Sequence, residues 1–178
     1  ISDSADGTGA GSPGDSNFVL KKLLELNVQK ELSCLLCIVD KPAVEIAIES
    51  GIGSSVNLNI GHSIDKKHGK PISIKGEVSR IGDGKFSFGK GFPRELEANM
   101  GKCVVIKIDK ISLLVSEKAV FTFDPAMYRS MGLEPTNADL VLVKSANQFR
   151  SSYKDISSQI YILDTPGSST ANLKTLNF

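Results

Sequence analysis

The stretch Leu32-Ser33-Cys34-Leu35-Leu36-Cys37-Ile38-Val39-Asp40-Lys41-Pro42 decides how this chain is read. From Leu32 to Val39 it is almost unbroken apolar sequence, without the alternation of a strand that wets one face. Such a run reads as a strand buried on both faces, which is typical of a parallel sheet covered by helices. Asp40 ends it. Lys41-Pro42 then opens a helix from Ala43 to Ser50, closed by Gly51, because proline suits the first helical turn and glycine the residue after the last. Upstream, Phe18, Val19, Leu20, Leu23, Leu24 and Val28 recur at helical spacing and predict an amphipathic helix over residues 16–28. Helix, strand, helix is α/β grammar.

The pattern then changes. Val56-Asn57-Leu58-Asn59-Ile60 and Ile72-Ser73-Ile74-Lys75-Gly76-Glu77-Val78 alternate, as strands with one wet face do. Gly82-Asp83-Gly84 reads as a turn between Val78–Ile81 and Lys85–Phe88. Val104–Ile108 and Ile111–Val115 flank a tight Asp109-Lys110 turn and predict a hairpin. Further on, Phe121-Thr122-Phe123 meets Asp124-Pro125, which caps a short helix to Met131-Gly132. Asp139–Val143 and Ile160–Leu163 read as two more buried strands joined by a helix over about Ala146 to Ile156, and helical crossovers favour parallel pairing. The fold class is therefore α/β: a small parallel or mixed sheet with flanking helices and an inserted antiparallel β subdomain over about 54–118. Residues 1–16 are a glycine-rich loop, 17–53 and 119–164 the α/β frame, and 165–178 an exit tail.

Composition narrows the function classes. A chain of 178 residues with 40% hydrophobic and 23% charged residues is long enough for one domain with an ordinary core. A net charge of +1, no tryptophan and no basic cluster interleaved with aromatics argue against a nucleic-acid surface. No apolar run approaches the roughly 20 residues that span a bilayer. Cys34 and Cys37 form a C-x-x-C, but within a strand their side chains point to opposite faces. With Cys103 they read as buried thiols of a reducing compartment, and with no visible signal peptide the expected location is cytoplasmic. His62 and His68 lie in one loop with Asp65, but their spacing converges on no metal and the Lys66-Lys67 pair would repel one, so a solvated loop is expected. Ile1 is not an initiator methionine, so the chain reads as an excerpt of something longer.

Candidate chemistry concentrates in Asp3-Ser4-Ala5-Asp6-Gly7-Thr8-Gly9-Ala10-Gly11-Ser12-Pro13-Gly14-Asp15-Ser16. Ser12 suits an N-cap, Pro13 the first helical position and Asp15 the reciprocal carboxylate of a capping box. A loop ending on unpartnered helix N–H groups can bind an anion. Gly9 to Gly14 also spells G-x-G-x-x-G, but the strand that should precede a dinucleotide site is missing. Parallel sheets bind ligands beyond the carboxyl ends of their strands. Those ends carry Asp40, Lys144-Ser145 and Asp164-Thr165. Lys144, Gln148 and Arg150 there can hold a carboxylate or phosphate, or the cations can pair with Asp164 or Asp40. No catalytic constellation can be assembled.

Taken in order, Asp3-Ser4-Ala5-Asp6, Gly11-Ser12-Pro13-Gly14-Asp15-Ser16, His68-Gly69-x-Pro71, Phe123-Asp124-Pro125, Val143-Lys144-Ser145 with Phe149-Arg150, and Asp164-Thr165-Pro166-Gly167 resemble the C-terminal domain of microcystinase-C-like (MlrC-like) proteins, over nearly the whole chain. One departure is Gln148, where many members of the family are expected to have histidine. The resemblance implies a zinc metallopeptidase that opens linearised microcystin and similar short peptides. Its zinc ligands and catalytic acid would lie in a larger N-terminal domain of the same polypeptide, so this chain would hold no metal and would not be catalytic alone. Its substrate-binding residues would be Asp6, Gly11, Gly14, Asp15, Ser16, His68, Lys144, Gln148 and Arg150. Two alternatives stand beside it: a nucleotide- or anion-binding module using Gly9 to Gly14, and a structural domain that assembles a homo-oligomer.

Overall fold

All six residues from Cys34 to Val39 are buried, and they form the strand on which the rest is layered. A computed structural model describes residues 1–89, 96–172 and 174. In chain order the elements are β1 (Ser2–Asp3), α1 (Phe18–Glu25), β2 (Cys34–Val39), α2 (Lys41–Ser50), β3 (Ser55–Ile60), β4 (Ile72–Gly82), β5 (Lys85–Ser87) and β6 (Glu97–Asn99). Then come β7 (Cys103–Ile108), β8 (Ile111–Ser116), α3 (Ala126–Ser130), β9 (Leu140–Val141), α4 (Arg150–Tyr153) and β10 (Ile162–Leu163).

One six-stranded mixed sheet runs β3-β4-β7-β8-β2-β9. β2 is parallel to both β8 and β9, while β3, β4, β7 and β8 pair antiparallel in sequence. The mixed α/β class read from the sequence is thus the observed one, and the antiparallel strands continue the same sheet as the frame. β4 is a single long strand carried past a bulge at Val78–Arg80. Beyond its turn, β5 pairs with β6 in a separate two-stranded sheet. The Asp109 turn has φ +49 and closes the predicted β7–β8 hairpin.

Because side chains alternate along a strand, β2 feeds two cores at once. Cys34, Leu36 and Ile38 pack with Leu20 of α1, Val44 of α2 and Leu113 of β8. Leu35 and Cys37 pack with Met127 and Tyr128 of α3 on the other face. The two cysteines therefore face opposite ways, as their spacing requires. All three thiols are free and buried, and burial pushes Cys34 up to about 11 and Cys103 to about 12. α2 starts where expected: the Asp40 carboxylate accepts the Ala43 N–H at 3.1 Å, and Gly51 closes the helix at φ +82.

Four sequence expectations need correction. α1 begins at Phe18, and Ser12, Pro13 and Asp15 do not cap it. The cause is Gly14, held at φ +78 with its N–H given to Asp6, which keeps the chain out of helix. The helix predicted over 146–156 shrinks to the single turn α4, in a stretch where Asn and Ser side chains compete for the backbone: Ser151 Oγ donates to the Gln148 carbonyl at 2.9 Å. Ser2–Asp3 forms a strand despite lacking an apolar run, paired in parallel with β10, and Ser2 also bridges Val143. The third predicted strand is shorter than expected and is not buried: Ile162 is exposed and Leu163 half-buried, because β10 pairs with β1 away from the main sheet's core. Residues 90–95 of the antiparallel stretch, and 173 and 175–178 of the tail, lie outside the described residues.

Leu113 is fully buried between the helices and the sheet. Leu113→Ala is expected to cost about 3 kcal/mol of unfolding free energy, read as a lower urea midpoint at an unchanged slope.

Candidate functional site

β1, β2, β8, β9 and β10 are linked by parallel pairings, and the loop from Ala5 to Ser16 lies beyond the carboxyl end of β1. At its centre Asp6, 2% exposed, meets Lys144, 1% exposed. Lys144 Nζ donates to Asp6 Oδ2 at 2.6 Å and to the Ser16 carbonyl at 2.8 Å. The same carboxylate accepts the Gly14 N–H on Oδ1 at 2.9 Å and the Ser16 N–H on Oδ2 at 2.7 Å. Two charges buried this deeply are tolerable only because each is paired and hydrogen-bonded. Lys144 is placed by its main chain: its own N–H donates to Thr122 Oγ1 at 2.7 Å, and its carbonyl accepts the Thr8 N–H at 3.3 Å. Gly14 is required twice over, by its left-handed backbone and by a Cβ position only 2.8 Å from Thr8 Cγ2.

The next residue ties this loop to a second one. The Asp15 carbonyl accepts the His62 N–H at 2.7 Å, and Asp15 Oδ2 accepts the N–H groups of Ile64 and Asp65 at 2.7 and 2.9 Å. Asn17 Nδ2 donates to the Ile60 and Lys70 carbonyls at 2.7 and 2.9 Å. His62 is buried, with Nδ1 2.8 Å from the Asp65 carbonyl, which corrects the expectation of a wholly solvated loop. Asp65 Oδ2 lies 2.6 Å from His68 Nδ1, so the His68 ring is oriented and its Nε2 has no partner among the described residues. Burial would raise the Asp65 carboxyl, but the bond to His68 and the backbone N–H groups of Lys67 and His68 outweigh it and hold it below the usual carboxylate range.

The tail closes the third side. Thr165 Oγ1 donates to Asp3 Oδ1 at 2.5 Å, the Ser169 N–H to the Ala5 carbonyl at 2.9 Å, and Ser168 Oγ lies 3.0 Å from Ser12 Oγ. Gly167 has no room for a side chain, since a Cβ would sit 2.0 Å from the Ala5 carbonyl. The tail therefore straps the loop rather than leaving it.

Of the residues singled out from sequence, the structure joins Asp6, Gly14, Ser16 and Lys144 directly, and Asp15 and His68 through Asp65. Lys144 pairs with neither Asp164 nor Asp40, because Asp6 takes it. Gly11, Gln148 and Arg150 are exposed and join none of these contacts. Gln148 Oε1 is 3.4 Å from the Cβ position of Gly9, and Arg150 Nε donates to Asn147 Oδ1 at 3.0 Å while its guanidinium lies over the Phe149 ring. Sequence reasoning named Asp65 and Thr165 without giving them a place in the site, and it missed Ser169, which carried no local signal. The loop amides face inward: Gly14 and Ser16 bind Asp6, and Gly11 and Ser12 bind the Thr8 and Gly7 carbonyls. The loop already contains its anion. Among the described residues no three His, Cys, Asp or Glu side chains converge to hold a metal ion. Nor is any helix long and apolar enough to cross a membrane.

The fold is a mixed-sheet α/β domain with three loops knotted at one edge around the Asp6–Lys144 pair. The chain belongs to the MlrC C-terminus family, whose profile matches residues 1–178. It is similar to Microcystinase C of a Sphingomonas species, 29% identical over 168 residues, which is 94% of this chain and 32% of that protein. It also resembles a crystal structure from Mesorhizobium sp. BNC1 titled "Putative metallopeptidase", with a TM-score of 0.84 and 25% identity over 93% of this chain and 33% of that one. The chain thus spans about a third of the length of the relatives it matches.

Two predictions follow from the geometry. Asp6→Asn and Lys144→Met each leave a buried charge unpaired and are expected to cost about 3–5 kcal/mol alone, with the double variant costing clearly less than the sum in a thermodynamic cycle. His68→Ala removes the ring from Asp65, so NMR titration of that carboxyl is expected to move up toward the ordinary range. The corresponding stabilisation in the wild type is present above that range and lost as pH falls through the lowered value.

Proposed function

We propose that this chain is the substrate-facing C-terminal portion of a zinc metallopeptidase that hydrolyses short or linearised peptides. The observation that carries the reading is the buried Asp6–Lys144 pair that fixes the loop, with Gln148 exposed 3.4 Å from the Cβ position of Gly9 and Arg150 exposed two residues further on. The similarity to proteins named as a microcystinase and a metallopeptidase supplies the reaction class. The described residues here do not fit a metal, since Asp65 and His68 bind each other and no third donor joins them. The metal and the acid that works with it would then be held by the portion of the polypeptide upstream of this chain. Zinc as that metal and a cytoplasmic location belong to the same proposal.

The chain's own residues divide the work. Arg150 offers a fork of donors that suits a peptide carboxylate or main-chain carbonyl. Gln148 offers an amide to the substrate backbone. His68, oriented by Asp65, presents Nε2 from the second loop. Asp6, Gly14, Asp15, Ser16 and Lys144 act by position: their hydrogen bonds are internal, and they hold the loop and Gly11 in place. A loop fixed in advance contributes to binding because less chain has to be ordered when substrate arrives. The nucleotide reading is disfavoured by amides that already serve Asp6.

In the full-length protein, Arg150→Ala is expected to lower kcat/KM for a short peptide with a free carboxylate by about tenfold to a hundredfold, mostly through KM, with Arg150→Lys between the two. An unchanged kcat/KM removes Arg150 from the site.

A further inference from the structure

Strand β1 sits between two parallel neighbours. On one side the Ile1 nitrogen donates to the Val141 carbonyl at 2.8 Å, the Val143 N–H to the Ile1 carbonyl at 3.0 Å, and the Asp3 N–H to the Val143 carbonyl at 2.8 Å. On the other side the Ser2 N–H donates to the Tyr161 carbonyl at 2.8 Å, with Ser2 opposite Ile162. Both neighbours extend beyond it. Upstream of Ile1 they enclose a groove of about 260 Å³, lined by Ala138, Leu140, Val141, Ile156, Ile160 and Tyr161 among others. Its two walls offer backbone donors. Leu140 and Leu142 direct their N–H groups to the Ser33 and Leu35 carbonyls, which turns the Val141 N–H away from β2 and toward the groove. The Tyr161 N–H, one residue before β10, has no partner among the described residues.

We propose that the polypeptide directly upstream of Ile1 in the full-length protein lies in this groove as the continuation of β1, making it a central strand between β9 and β10. The relatives are about three times the length of this chain, and the family is one of C-termini, so a long upstream portion is expected. The parallel register sets the pairing. The carbonyl of the residue before Ile1 accepts the Tyr161 N–H, and the carbonyl one residue further upstream accepts the Val141 N–H. Alternate side chains of the incoming strand pack on Ile156 and Ile160, so apolar or β-branched residues suit it. The chain's own tail is a poor occupant, because Asn172 is bound to Asp164, at the opposite end of β10. A strand clamped on both edges makes the junction stiff, and the loop from Gly7 to Ser16 then keeps a fixed position relative to the upstream portion. This inference rests on family membership and not on the proposed reaction.

The test uses the full-length protein. A cysteine replacing the residue directly upstream of Ile1 is paired with Ile160→Cys, the position opposite it in the register. Mild oxidation is expected to give a near-complete disulfide, and the same upstream cysteine with Ile64→Cys to give none. In the unmodified protein, the Val141 and Tyr161 amides are expected to exchange on the order of 100-fold more slowly than exposed loop amides, with or without residues 173–178. No cross-link to position 160, equal cross-linking to both positions, exchange at the loop rate, or protection that vanishes when the tail is removed would each overturn the proposal, whatever the activity on peptides.

Discussion

A single buried ion pair organises this edge of the molecule. Lys144 arrives on the segment that follows β9, Asp6 on the turn that follows β1, and the carboxylate then collects the Gly14 and Ser16 amides that the chain would otherwise leave open. In an interior of low polarity an isolated charge is very costly, so neither residue can be where it is without the other. Everything nearby inherits its position from this contact. Ser16 fixes the entry to α1, Asp15 is aimed at the 62–65 loop, and the tail lies across the main chain of Ala5. The pair acts as a register pin for three loops joined by hydrogen bonds.

The frame was legible because its signals are local. The run from Cys34 to Val39 announced a two-faced strand, Asp40-Lys41-Pro42 announced a capped helix, and Asp109-Lys110 announced a hairpin. The site was only half legible. Asp6, Gly14, Ser16 and Lys144 stood out by type, but their union spans 138 residues of sequence, and no local pattern encodes such a separation. The glycine-rich loop misled for a physical reason: small residues before a helix fit an anion cradle equally well whether the anion is a ligand or an aspartate eight residues back. The short strand β1 was missed in the opposite sense. It is held by pairing with β10 and with Val143, and pairing leaves little mark on composition.

The ordered motifs that mark the family now have separate duties. Asp3 and Thr165 join the first turn to the tail, Gly167 allows the tail to approach the Ala5 main chain, and Asp124 accepts the Gly89 and Ala126 N–H groups below the phenylalanine cluster. Most of them build the support, while Gly11, Gln148 and Arg150 remain on the surface.

The most direct measurement of the central claim is amide exchange, residue by residue, in the full-length protein carrying Lys144→Met. If the ion pair is the pin, Gly14 and Ser16 lose their protection while Leu36 and Leu113 in the sheet keep theirs. If Gly14 and Ser16 remain as protected as in the wild type, the loop is held by something else and the account fails.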